Sequence, residues 1–140
     1  MLKRKIKVGY DDLEIKKIEF HPSKDNDSFG EFKSAASTIE IAKGMQPRQE
    51  ANTFLHEILH ACVYQSGLNS EGGALYKNED EEVTVNALAN SFSQVVRDNQ
   101  WFLPYLQKGL SGAKNGIEEK RVQAMAKTKK QYKKRALRKN

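Results

Sequence analysis

Apolar and polar residues alternate from Lys5 to Tyr10, with Ile6, Val8 and Tyr10 on one side, and this period of two predicts a half-buried strand. Asp11-Asp12 predicts a turn. A second strand follows, with Leu13 and Ile15 in one phase and Ile18 and Phe20 in the other. The phase change at Lys16-Lys17 predicts a bulge or a strand end. Residues 21–30 are dense in turn formers and read as a loop. Phe32 and then Thr38-Ile39-Glu40-Ile41 predict one or two further strands, closed by Gly44.

The period then changes to that of a helix. Pro47 suits a first helical position and Glu50 complements the dipole of the first turn. Ala51, Phe54, Leu55, Ile58, Leu59 and Cys62 recur as a core-facing stripe, and Gly67 is the expected stop. After a loop over 68–78, a second helix shows Val85, Leu88, Ala89, Phe92, Val95 and Val96 on its apolar side. Asn78 is its candidate cap, Glu79 to Glu82 crowd its first turn, and Asn99 is its expected end. Trp101 to Leu106 predicts a short helix or turn, and Ser111-Gly112 and Asn115-Gly116 mark a boundary. The predicted fold class is α+β, with a small, mostly antiparallel N-terminal sheet packed on the first helix and a second helix beside it. The expected division is a domain over 1–112 and a basic helical or flexible tail over 113–140.

Charge sharpens that division. The net charge of the 140 residues is +6, but residues 114–140 alone carry 11 Lys or Arg against 2 acidic residues. The basic character belongs to the tail, so any expectation of acidic partners is confined to it. The chain has no run of eighteen apolar residues, which predicts no membrane span. Cys62 is the sole cysteine, so no internal disulfide exists, and the basic N-terminus leads into alternation and not into an apolar signal core. A cytoplasmic setting is the expectation.

The candidate chemistry lies in His56-Glu57-Ile58-Leu59-His60. Residues four apart share a helix face, so two imidazoles can hold one metal ion, and the intervening Glu can reach a water in an open coordination position. Catalytic zinc takes three protein ligands and keeps a fourth place for water. His21 is the one other His and lies in a loop far upstream, so the third ligand is expected to be a carboxylate. Glu82 is the best placed of the acids at the second helix start. Glu79, Asp80 and Glu81 are expected to be solvated and to complement the dipole. Asn86, one turn after Glu82, is the expected hydrogen-bond partner of a ligand imidazole. For a further donor near the reacting carbonyl, Tyr76 comes first, with Tyr64 and His21 behind it.

The segment Thr53-Phe54-Leu55-His56-Glu57-Ile58-Leu59-His60-Ala61, followed by Glu82-x-x-Val85-Asn86-x-Leu88-Ala89, resembles the ImmA/IrrE-type metallopeptidases, gluzincin-like enzymes found in phages and mobile elements. The resemblance covers residues 35–99. It implies that His56, His60 and Glu82 bind one zinc ion, that Glu57 is the catalytic base, and that the substrate is a peptide or protein. It also implies a mixed sheet whose edge strand, near Thr38–Ile41, aligns that peptide. A His₂-carboxylate set also suits Fe(II), but the pair on one helix with an adjacent Glu favours zinc. The alternative function is a zinc-containing, nucleic-acid-associated protein without turnover, binding phosphates through the tail. A solvated tail that aids solubility explains the same charges more simply. The tail's single aromatic, Tyr132, gives no stacking platform.

Overall fold

A computed structural model describes residues 4–19 and 28–111. Its elements in order are β1 (Lys5–Val8), β2 (Asp11–Ile18), β3 (Gly30–Lys33), a short 3₁₀ turn (Ser34–Ala36), β4 (Thr38–Ala42), α1 (Pro47–Gln65), α2 (Asn78–Asp98) and α3 (Phe102–Leu110). The class is α+β. The expected tail over 113–140, with Phe20 and His21, lies outside the described residues. Residues up to Val95 form one compact unit, and a second begins at Val96. None of the described helices is long and apolar enough to cross a membrane.

The four strands form one mixed sheet in the order β1-β2-β4-β3. β1 and β2 are antiparallel, β2 and β4 are parallel, and β3 and β4 are antiparallel. The first turn differs from the expectation. It falls at Gly9-Tyr10, and Asp11 already pairs with Val8. Gly9 takes φ +59°, the positive value a tight two-residue hairpin needs at its first loop position. Tyr10 is thereby turned out and is 80% exposed. Asp11 instead accepts a hydrogen bond from the Gln65 side chain of α1.

β2 also keeps one phase throughout, with an unbroken register from Glu14 opposite Thr38 to Ile18 opposite Ala42. There is no bulge at Lys16-Lys17. Lys17 occupies a place on the helix-facing side after Leu13 and Ile15, and its ammonium pairs with Glu50 of α1 at 2.6 Å. A long basic side chain can hold such a place because its stem packs while its charged end finds a partner. The apolar pattern changed phase where the backbone did not.

One face of the sheet packs on α1. Val8, Leu13, Ile39, Ile41 and Ala61 form the buried cluster, with Phe32, Phe54 and Ile58 packed against it. The other face carries ion pairs, among them Lys33–Glu40 at 2.6 Å. On α1 the core-facing side is therefore Phe54, Ile58 and Ala61, joined by buried Glu57 and Val63. Cys62, expected on this side, is one step around the helix from Ala61 and is exposed, as is Ala51. α1 closes with Gly67 at φ +71°, whose N–H reaches the Tyr64 carbonyl while that of Leu68 reaches Val63. That is the double-bonded stop expected of a Gly after a helix.

α2 runs antiparallel to α1. Asn52, early in α1, donates to Ser93 Oγ at 3.1 Å and to Asn90 Oδ1 at 3.3 Å late in α2, while His60, late in α1, meets Glu81 early in α2. The buried row of α2 is Glu81, Val85 and Ala89, at a spacing of four. Leu88, Phe92 and Val95 lie off that row and stay between 39% and 51% exposed. In the second unit, the ring of Trp101, just before α3, meets that of Tyr105 in α3 edge-on at 6.0 Å.

Candidate metal centre

The end of the helix pair where α1 finishes and α2 starts holds the site. His56 and His60 share a face of α1, and their Nε2 atoms lie 3.0 Å apart. Glu82, in the first turns of α2, reaches both: Oε1 is 3.2 Å from His60 Nε2, and Oε2 is 3.7 Å from His56 Nε2. The three side chains form a group able to hold a metal ion. A four-coordinate divalent ion with bonds of about 2.0–2.1 Å spaces its ligand atoms by about 3.3–3.4 Å. The two Nε2 atoms at 3.0 Å and Glu82 Oε1 at 3.2 Å from His60 Nε2 lie near that value, and one ligand atom from each of the three residues lies within 4.8 Å of the others.

Electrostatics point the same way. The three residues line a cleft of about 560 Å³ that also receives Glu31, Glu57 and Glu81 and, among the described residues, has no Lys or Arg in its wall. A cation there would be favoured by the carboxylates that are ionised and would leave the two imidazoles free to act as neutral donors. Burial pushes the His56 imidazole below its ordinary pKa, with the neighbouring His60 adding to the effect. Burial thus favours the neutral imidazole, the form in which it can donate a lone pair to a metal.

Glu57 lies beside this group but faces the sheet. It is 4% exposed, under the edge strand β3, and lines the same cleft. Burial pushes its carboxyl up to about 7, against the opposing pull of His60 and a hydrogen bond from the Phe32 backbone N–H. A carboxyl raised in this way stabilises the fold below its unfolded pKa, and that contribution disappears as pH rises through the folded value. In metal-free protein the Glu57 contribution is expected to fall by roughly 3 kcal/mol between about pH 4.5 and 7. His56, with its lowered pKa, acts in the opposite sense in that range. The measurement is therefore the urea stability of wild type minus that of Glu57→Gln, at pH 5 and at pH 7.5.

The close approach of β3 depends on Gly30. A Cβ there would sit 2.8 Å from Glu57 Oε1 and 2.7 Å from Thr53 Cγ2. Gly30→Ala is expected to displace the Glu57 carboxyl, at a cost of about 1–3 kcal/mol in stability. Metal content should be unchanged, since the atoms nearest an added Cβ belong to Thr53 and Glu57 and not to a candidate ligand. Metal analysis beside thermal melting of the variant checks both statements.

The structure brings together His56, His60 and Glu82, with Glu57 in the same wall. It does not bring Asn86 to an imidazole: that side chain is exposed. The partner of His60 is Glu81, expected to be solvated but only 8% exposed, with Oε1 at 2.6 Å from His60 Nδ1. Its place on the row of Val85 and Ala89, four and eight residues on, is the signal that would have found it. Tyr76 is 60% exposed and is not among the described residues lining the cleft, whereas Tyr64 lines it with its ring edge-on to Phe32 at 5.8 Å. The expected edge strand is also corrected. Thr38–Ala42 is interior, because β2 and β3 flank it, and β3 is the edge that borders the cleft. No protein-family model, curated protein or solved structure matches the chain.

Proposed function

We propose that this chain is a zinc-dependent peptidase, with His56, His60 and Glu82 as the metal ligands and Glu57 as the general base. The observation that carries the reading is the convergence of two imidazole Nε2 atoms and one carboxylate, from two helices, beside a buried carboxyl in one open cleft. A bound zinc ion would supply an acidified water and polarisation of the scissile carbonyl. Glu57 takes the proton of the attacking water on its carboxylate and passes it to the leaving amine. A base with a pKa near neutrality suits both halves of that transfer.

The wall of the cleft also suggests how a peptide is held. Among the described residues, β3 has a partner strand on one side only. An extended chain can add to such an edge through its main-chain groups. This would carry a scissile bond past Gly30 and Phe32 toward His56 and His60. A regulatory protease with few substrates, such as one that cuts a repressor, is the form of this activity we propose. The test is an unbiased cleavage screen in a cell lysate with added Zn²⁺, run in parallel with Glu57→Gln. Cuts at a small number of sites, absent with the variant, support the reading. Identical fragment patterns for the two proteins would end it.

A further inference from the structure

A metal-binding imidazole works only if the nitrogen facing the metal carries no proton, so some other group must settle where the ring's single N–H sits. The His60 ring is bounded on both sides. Its Nε2 faces His56 Nε2 at 3.0 Å and Glu82 Oε1 at 3.2 Å, while its Nδ1 lies 2.6 Å from Glu81 Oε1. Glu81 is itself held from a third direction, because Asn69 Nδ2 donates to its other oxygen, Oε2, at 3.2 Å. Asn69 belongs to the connection between α1 and α2, and Glu81 to the buried row of α2. A carboxylate with one oxygen bound by an amide and the other by an imidazole N–H has little freedom to turn.

We propose that Glu81 is a positioning residue, which fixes His60 as the Nδ1–H tautomer and so presents a bare Nε2 to the metal, with Asn69 holding the carboxylate in register. The assignment rests on the metal-binding half of the function proposed above and not on peptide cleavage. One consequence follows for the neighbouring ring. The Nε2–Nε2 contact at 3.0 Å needs one proton between the two atoms when no cation is there. With His60 Nε2 bare, that proton belongs to His56. In metal-free protein the chain of donors therefore runs His56 Nε2–H to His60 Nε2, and His60 Nδ1–H to Glu81. Occupancy of the site asks His56 alone to change tautomer.

The experiment uses the full chain stripped of metal, with no peptide present. Long-range ¹⁵N–¹H spectra report the tautomer of each ring, and competition with a chelator of known affinity reports binding of Zn²⁺. Wild type is expected to show Nδ1–H at His60 and Nε2–H at His56. Glu81→Ala should lose the Nδ1–H preference at His60 and weaken Zn²⁺ binding by about 10–100-fold, the usual scale for outer partners of metal ligands. Glu81→Gln keeps an oxygen that accepts the Nδ1–H, so it should restore the tautomer and most of the affinity. Asn69→Ala should show a smaller loss in the same direction. If Glu81→Ala unfolds, Glu81→Gln and Asn69→Ala still decide the matter. An Nε2–H tautomer at His60 in wild type, or a Gln variant as impaired as Ala, overturns the assignment. Failure of the peptidase reading would leave all of these spectra and affinities unchanged.

Discussion

Glu57→Gln is expected to retain one zinc ion per chain and to lose peptide cleavage by about 10²–10⁴-fold, the range that general acid–base help supplies. The amide has nearly the shape of the carboxyl, so packing under β3 is kept. It cannot take up a proton at neutral pH, so the water is no longer activated by this residue. Burial makes the case unusually clean. The carboxyl, pushed up to about 7 by its surroundings, is only 4% exposed, and the neutral amide suits that environment at least as well. The variant should be no less stable than wild type at pH 7.5, and a loss of turnover cannot then be ascribed to unfolding. Zinc content by elemental analysis and cleavage rate on one identified substrate are the two measurements. Cleavage at the wild-type rate would remove Glu57 as the base.

Glu82→Ala is expected to lose zinc, with affinity falling by well over the roughly 10–100-fold typical of an outer partner. Glu82 supplies one oxygen toward each imidazole, at 3.2 and 3.7 Å, so no other described acid replaces it without moving. Its side chain is 43% exposed, and without it His56 and His60 still partner each other. The fold should therefore survive, which is not expected of His60→Ala, where Glu81 would remain buried without its imidazole. Chelator competition and circular dichroism on the same sample separate the two outcomes. Tight zinc binding by Glu82→Ala would transfer the third ligand to another carboxylate of the same wall.

Much of this site was legible because it obeys one rule. The spacing of four puts His56 and His60 together on any helix, and the apolar periods of α1 and α2 are strong enough to show both helices. What failed had local causes. Lys17 reads as an outward residue by type, yet it faces α1, because Glu50 waits there. Cys62 reads as core by type and is exposed. Glu81 reads as one more acid in a helix start, and only its row with Val85 and Ala89 marks it as buried. Gly30 carries no sequence signal at all, since its role is an approach between β3 and α1 that exists only after folding. The strand order was equally hidden. The parallel pairing of β2 with β4 makes Thr38–Ala42 interior, and no period in the chain distinguishes an interior strand from an edge.

The three candidate ligands are divided between two helices, two on α1 and one on α2. An ion at that place would act as a clasp, closing the loop of chain between His60 and Glu82 at the end opposite the Asn52 hydrogen bonds. Free metal then becomes a reagent of folding as well as of chemistry: at a hundred times its dissociation constant it adds about 2.7 kcal/mol to the folded state. For a protein of this size such a contribution is a large part of the whole. If such an ion binds, its scarcity would expose the protein to proteolysis as well as empty the site, and the protein's abundance in a cell would follow the metal supply.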